Sequence, residues 1–249
     1  MLKTGYERWF GNEDSYRGYF SETSKSIISR YFPQDWNVVI VPPGQEMLHH
    51  LEDCHVLLPE HIKVDHSLLS AAKKIKLVQT GAGFDNVDVP ACTELGIWVA
   101  NAAGVNAQAV AEHVMAMIMS FYKNIPFLDS FMKNKLDENQ LNYTGSELKG
   151  KTMGIIGFGA IGKKVAAFSR VFDMNVLAYA RNANVQSDGL VKMTDFDTLV
   201  STSDIISVHI PLNQQTKQRI NKAVFKKMKN TTLFINTARG GNSQRKRHD

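Results

Sequence analysis

The stretch Gly157-Phe-Gly-Ala-Ile-Gly162 constrains this chain more than any other, because it joins an apolar strand-like run to a helix-like run. The strand-like run is residues 151–156, and apolar residues continue at helical spacing from Ile161. Strand, glycine turn and helix together form the setting in which G-x-G-x-x-G binds a dinucleotide. We therefore predict a βαβ unit with a dinucleotide site at the turn.

Each glycine of the turn has a different predicted role. Gly157 allows the tight turn out of the strand, and Gly159 lets the backbone approach a pyrophosphate without a Cβ in the way. Gly162 lets the helix pack closely on the strand. The start of the helix adds free N–H groups and the positive end of the helix dipole, which favour a phosphate.

The rest of the chain alternates between strand-like and helix-like segments, which indicates parallel βαβ units. The helix predicted over 106–122 is apolar on nearly every side after Val114, so we expect it to be buried all round, between domains or between subunits. We expect residues 124–149 to be an irregular surface segment. The predicted strands are 37–41, 56–58, 75–79, 97–100, 151–156, 175–179, 205–209 and 233–236.

Composition narrows the class of protein. The 249 residues carry a net charge of +5, and the basic residues do not interleave with aromatics, so we expect no nucleic-acid partner. Cys54 and Cys92 form no disulfide framework, which fits a reducing compartment. The apolar stretch 114–122 is too short to span a bilayer, and the first residues contain no signal core. We expect a cytoplasmic protein without a membrane partner, and we find no metal-ligand spacing.

The end of the strand after the glycine helix bears on which dinucleotide is bound. A carboxylate at this position holds the ribose 2′-OH of NAD, but this chain has Tyr179-Ala180-Arg181. The missing acid and the guanidinium favour NADP over NAD, since Arg181 can pair with a 2′-phosphate. The alternative is that Arg181 is a solvated surface residue and that NAD binds without it.

Two further segments have the residue types of an acid-binding site. Residues 79–88 form a glycine-rich turn after a strand, whose N–H groups can bind an anion such as a substrate carboxylate. Arg239 follows the strand predicted at 233–236, where it could clamp a carboxylate and polarise a carbonyl. Taken singly, the first is equally compatible with an ordinary turn and the second with a surface arginine.

Taken together, these stretches resemble the D-isomer-specific 2-hydroxyacid dehydrogenase family. The resemblance implies an α/β fold with parallel sheets: a flavodoxin-like substrate domain (1–104) and a Rossmann-like dinucleotide-binding domain (105–249). It implies hydride transfer between NAD or NADP and a 2-oxo or 2-hydroxy acid, and a homodimer formed through the helix that begins near Asn106. The matching stretches are 78–88, 101–112, 148–181, 208–212 with Thr216, and 234–241.

The resemblance also implies roles for individual residues. The amides of Gly81, Ala82 and Gly83 would hold the substrate carboxylate, and Arg239 would be the catalytic arginine that orients and polarises the 2-oxo group. His209 and Pro211 would flank the adenosine side of the cofactor, and Thr237 the nicotinamide side. The pyrophosphate loop would consist of Gly157, Gly159, Ala160, Ile161 and Gly162, with Arg181 as the candidate contact to a 2′-phosphate.

The chain departs from the family pattern after Gly241. The family continues with a catalytic glutamate and a catalytic histidine, whereas here no Glu follows Arg239 and the later histidine is His248. We therefore expect the second domain to be truncated at its C-terminal end. Without the acid/base, activity should fall roughly 10²-fold or more. The alternative function is a non-enzymatic dinucleotide-binding regulator or an inactive fragment.

Overall fold

The computed structural model describes residues 26–27, 30–41, 48–59, 62–134, 145–181 and 189–244. By compactness the chain divides into two units, residues 1–79 with 88–99 and residues 80–87 with 100–249. The short segment 80–87 thus groups with the second unit. The division into 1–104 and 105–249, which assumed a single boundary, stays a prediction.

The first unit is organised on a three-stranded sheet in the order β1-β2-β3, with β1 and β2 parallel. The last residues of β2 and β3 are grouped with the second unit. Asp65 and Asp88 cap two helices of this unit by accepting hydrogen bonds from backbone N–H groups in the first turn. The elements are α1 (Leu48–Leu51), β1 (Val56–Leu57), α2 (His66–Ala71), β2 (Leu77–Thr80), α3 (Val89–Glu94) and β3 (Trp98–Asn101).

Three of the four strands predicted in this part of the chain are confirmed, and the strand predicted at 37–41 is wrong. Residues 37–41 form no strand, and Val38 and Val39 are about half exposed. A strand is stabilised by its ladder with a neighbour, and among the described residues no strand pairs with this segment. Its β-branched residues alone could not reveal that lack of a partner.

The second unit contains a five-stranded, fully parallel sheet in the order β6-β5-β4-β7-β8. This arrangement confirms the predicted α/β class with parallel sheets. The elements are α4 (Ala107–Tyr122), α5 (Ile125–Lys133), β4 (Thr152–Ile156), α6 (Ala160–Val171), β5 (Asn175–Tyr179), β6 (Lys192–Met193), α7 (Phe196–Thr202), β7 (Ile205–Val208), α8 (Lys222–Lys227) and β8 (Leu233–Asn236).

Side chains that alternate along the strands form two separate cores, one on each face of this sheet. Ile155 and Ile205 pack with α4 and α6 on one face. Their neighbours Ile156 and Ile206 pack with α7 on the other. The chain runs from β4 to β5 on one side, then crosses to β7 on the other side of β4. The strand order therefore reverses between β4 and β7, and ligands of open α/β sheets bind outside the carboxyl ends of strands at such a point.

Two helices of this unit differ from expectation. Helix α4 was predicted to be buried all round, but the chain itself covers only one side of it: Val114 and Ile118 are fully buried, whereas Phe121 is 58% exposed. Residues 125–133, predicted as irregular, form α5, with Asn124 in the left-handed region and Pro126 in the first turn. Of the helices in the described ranges, each is too short or too polar to cross a bilayer.

Candidate active site

The glycine turn leaves β4 at a position that only glycine can occupy. Gly157 has φ +101°, and a Cβ there would lie 2.5 Å from the backbone oxygen of His209. Its N–H donates to the Tyr179 carbonyl at 2.9 Å, so the turn is fixed to the ends of two neighbouring strands. The predicted role of Gly157 in the tight turn therefore agrees with the local backbone.

The other two glycines of the turn have opposite surroundings. At Gly159 a Cβ would meet no atom of the described residues within 4 Å, so the backbone there borders open space. At Gly162 a Cβ would overlap the Gly157 carbonyl oxygen and lie 3.0 Å from Cγ2 of Ile155. Helix α6 starts at Ala160, so its first free N–H groups, including that of Ile161, lie beside the open space. This geometry fits a bound pyrophosphate.

His209 lies just past β7, on the other side of the switch point. Its Nε2 is 2.9 Å from the Ser207 hydroxyl, while its buried Nδ1 has no partner within the described ranges. Burial lowers the pKa of His209 to about 4, so the imidazole is neutral at physiological pH. Pro211 follows and is exposed, and its carbonyl accepts from the Thr216 hydroxyl at 2.6 Å.

Arg181 is exposed and lies two residues past the end of β5. Its Nη1 donates to Oε1 of Gln215 at 2.8 Å. Ala180, the residue before it, is only partly buried and offers no carboxylate. The predicted cofactor residue Arg181 is thereby hydrogen-bonded to Gln215, which lies in the segment that follows β7.

The sequence analysis did not identify a second arginine near the end of β5. Arg219 stacks on the rings of Tyr179 and Phe196, with Cζ 5.5 Å and 5.1 Å from the ring centroids. Its Nη2 also donates to the Tyr179 hydroxyl at 2.9 Å. No local motif marks Arg219, because its aromatic partners lie 23 and 40 positions earlier in the chain.

The turn after β8 is organised by Asn236. The amide oxygen of this side chain accepts from the Ala238 N–H at 3.0 Å, and its Nδ2 donates to the Arg239 carbonyl at 2.9 Å. These bonds fix the backbone that carries Thr237 and Arg239. The Thr237 hydroxyl is buried and has no hydrogen-bond partner in the described part of the chain.

The structure brings Arg239 together with the glycine-rich segment 81–85. Arg239 Nε donates to Oδ1 of Asp85 at 2.8 Å. A Cβ at Gly83 would overlap Nη2 of Arg239, so the guanidinium lies directly against this glycine. The carbonyls of Gly81 and Ala82 accept from Ala102 N–H and Asn101 Nδ2, both at 3.0 Å. All these residues belong to the second unit.

Asp85 is a further candidate site residue, which the sequence analysis did not single out. It lies in the glycine-rich run, but its partner is 154 positions away. Spacing within a motif cannot reveal such a pair. His248, the late histidine considered above, lies outside the described residues.

Fold and site together are those of a dinucleotide-binding α/β protein, with an arginine beyond the carboxyl end of β8, two strands away from β4 and its glycine turn. Residues 115–247 match the family model "D-isomer specific 2-hydroxyacid dehydrogenase, NAD binding domain". This match covers more than half of the chain. The chain therefore belongs to the D-isomer-specific 2-hydroxyacid dehydrogenase family, which confirms the resemblance seen in the sequence.

Individual relatives support the same assignment. The chain is 40% identical over 190 residues to D-3-phosphoglycerate dehydrogenase of Archaeoglobus fulgidus, covering 75% of this chain and 36% of that protein. It is 32% identical over 230 residues to glyoxylate reductase of Thermococcus litoralis, covering 88% and 70%. D-Lactate dehydrogenase of Aquifex aeolicus, solved with NAD and lactic acid, superposes with a TM-score of 0.82 at 28% identity, covering 90% and 68%. The chain thus spans from about a third to about two thirds of the length of these relatives.

Proposed function

We propose that this chain is an oxidoreductase subunit that transfers a hydride between a nicotinamide dinucleotide and a 2-oxo or 2-hydroxy acid. The observation that carries the proposal is the placement of two features on one sheet. The open glycine turn follows β4, and Arg239 follows β8, with only β7 between these strands. The named relatives point to small 2-oxo or 2-hydroxy acids as the substrate class.

The residues around the turn fit a dinucleotide. Gly159 and the first N–H groups of α6 would hold the pyrophosphate, and Thr237 would face the nicotinamide side with its unpaired hydroxyl. A bound nicotinamide would supply or accept the hydride. His209 and Pro211 would border the adenosine side.

The acid would bind at Arg239. The guanidinium would pair with the carboxylate and polarise the 2-oxo group, and the amides of Gly81, Ala82 and Gly83 would donate to the carboxylate. Contact between Gly83 and Arg239 supports this assignment, because it brings the amide segment and the arginine together.

A single spectrophotometric assay tests the proposal. The full chain is mixed with NADH or NADPH and with glyoxylate, hydroxypyruvate, pyruvate or 2-oxoisocaproate, and cofactor oxidation is followed. We expect slow oxidation with at least one acid, because the expected lack of the acid/base costs roughly 10²-fold or more in rate. Arg239→Ala should abolish this oxidation, whereas Lys226→Ala, on the exposed side of α8, should retain it. Cofactor binding without turnover on any acid would instead favour a non-enzymatic dinucleotide-binding protein.

We propose NADP as the preferred dinucleotide. Arg181 is exposed at the end of β5 and held by Gln215, and Ala180 offers no carboxylate that would repel a 2′-phosphate. A guanidinium pairs with phosphate oxygens in bidentate fashion. NAD would lack this contact.

We propose that a second copy of the chain covers the exposed side of α4. An open groove of about 1110 Å³ runs along this side and is bordered by β8. Val110, Met117 and Phe121 line it, so its helical wall is largely apolar. Apolar surface of this kind is typical of subunit interfaces. We also propose a cytoplasmic location, which the free thiols of Cys54 and Cys92 support.

A further inference from the structure

The ion pair between Arg239 and Asp85 is partly exposed, with side-chain exposures of 45% and 33%. Exposed ion pairs contribute little to stability, because solvent screens them and ordering two side chains costs entropy. The bond from Nε to Oδ1 is nevertheless short, at 2.8 Å. Its main effect is therefore on where the guanidinium points.

Three contacts together determine the orientation of the guanidinium. Asp85 holds the Nε edge, and Nη1 donates to the Ala238 carbonyl at 3.0 Å. Nη2 lies against Gly83, where the absence of a Cβ leaves room for it. Within the described residues, the remaining N–H groups on Nη1 and Nη2 have no further acceptor and can serve an external one.

Both partners of the ion pair are attached to fixed backbone. The segment that carries Asp85 is bonded through Gly81 and Ala82 to residues 101–102, and the Val87 N–H donates to the Phe84 carbonyl at 3.0 Å. On the other side, Asn236 fixes the backbone of Arg239. Asp85 can therefore act as a fixed reference for the arginine.

We propose that Asp85 is a positioning residue that orients the Arg239 guanidinium for a carboxylate ligand. This inference rests on the proposed function of Arg239. Because an orienting role needs an oxygen acceptor rather than a negative charge, Asp85→Asn should preserve it and Asp85→Ala should remove it. A purely electrostatic role would be lost equally in both variants.

Binding of oxamate, a stable mimic of a 2-oxo acid, to the full chain saturated with NADPH or NADH tests the proposal by calorimetry. We expect Asp85→Ala to weaken oxamate binding about tenfold, and Asp85→Asn to stay within about threefold of the wild type. In an Arg239→Ala background, Asp85→Ala should have no further effect, because Asp85 acts through Arg239. Asp197→Ala, which removes a carboxylate 2.7 Å from Lys227, is the matched control and should bind normally.

A second measurement separates this proposal from the proposed function. The Nε–H of Arg239 should give a slowly exchanging ¹⁵N NMR signal that is lost in Asp85→Ala and retained in Asp85→Asn. If oxamate does not bind the wild type but this pattern is seen, the proposed function fails and the orienting role of Asp85 stands. Wild-type oxamate binding that Asp85→Ala leaves unchanged would overturn the role of Asp85, as would an unchanged Nε–H signal.

Discussion

The carbonyl oxygen of His209 lies against the α-carbon of Gly157, so close that a Cβ at position 157 would come within 2.5 Å of it. This contact joins the ends of β4 and β7 where the strand order reverses. The glycines of the turn are therefore needed for different reasons. Gly157 and Gly162 are required by the protein's own backbone, whereas the space beside Gly159 is open.

We expect Gly157→Ala to lower the free energy of unfolding by about 1–3 kcal/mol, because alanine is strained at φ +101°. The contact with the His209 oxygen adds to this cost. Urea denaturation followed by circular dichroism measures the change. Gly159→Ala is the matched control and should stay within about 0.5 kcal/mol of the wild type. Equal stability of the two variants would contradict the division between the glycines.

We expect Gly159→Ala to weaken dinucleotide binding at least about tenfold, because its Cβ would occupy the space assigned to the pyrophosphate. Quenching of tryptophan fluorescence on titration with NADH and NADPH measures the affinity. Gly81→Ala also places a methyl group in open space but lies in the acid-binding segment, so its cofactor affinity should be unchanged. Normal cofactor affinity in Gly159→Ala would show that the pyrophosphate does not bind beside Gly159.

Replacement of Arg181 tests the cofactor preference. We expect Arg181→Ala to lower NADPH affinity about tenfold or more and to leave NADH affinity nearly unchanged, since only NADPH carries the 2′-phosphate. Lys226→Ala removes one positive charge from the exposed side of α8 and should affect neither cofactor. Equal NADH and NADPH affinities in the wild type would refute the NADP preference.

His209 should make stability dependent on pH. Burial lowers its pKa from 6.5 to about 4, so between these values the unfolded chain binds a proton that the folded chain does not. The free energy of unfolding therefore falls by about 3 kcal/mol in total as the pH drops from 6.5 towards 4. Above pH 6.5 His209 is neutral in both states and no such loss occurs.

Urea denaturation at pH 7 and pH 5 measures this dependence. Carboxylates contribute mainly at lower pH, so the difference over this range should be smaller in His209→Gln than in the wild type. His50→Gln, which removes an exposed histidine of the first unit, should retain the difference. An unchanged pH dependence in His209→Gln would show that His209 is not its source.

The exposed side of α4 should control oligomeric state. We expect the wild type to sediment as a dimer and Phe121→Glu to sediment as a monomer, because the charge would be buried at the proposed interface. Val171→Glu places the same charge at an exposed position on α6 and should leave the dimer intact. A monomeric wild type at micromolar concentration would contradict the proposed interface.

Much of the fold could be predicted because its signals are local. The run from β4 through α6 to β5 combines an apolar strand, a glycine turn and a periodic helix within 28 residues. The strand expected at 37–41 failed because pairing depends on a distant partner. Helix α5 was missed although Pro126 marked its first turn and Phe127 and Phe131 follow at helical spacing.

Local patterns singled out individual candidate residues of the site but could not reveal their arrangement. Gly83 and Arg239 both follow strands, which is a local pattern, and this made each of them a candidate. Their contact, and the role of Asp85 in it, depends on how the chain folds over 154 positions. By contrast, the order of the glycines in the motif did distinguish the open surroundings of Gly159 from the crowded ones of Gly162, because these roles depend on a local strand, turn and helix.

The difference between the three glycines has an evolutionary consequence. In a descendant that no longer binds a dinucleotide, the fold would still select against substitution at Gly157 and Gly162. Selection for glycine at position 159 would be relaxed, because a Cβ there meets no atom of the described residues within 4 Å. Glycine kept at position 159 thus indicates that a ligand is still bound, whereas glycine kept at positions 157 and 162 indicates only that the fold is retained. This chain keeps glycine at all three positions.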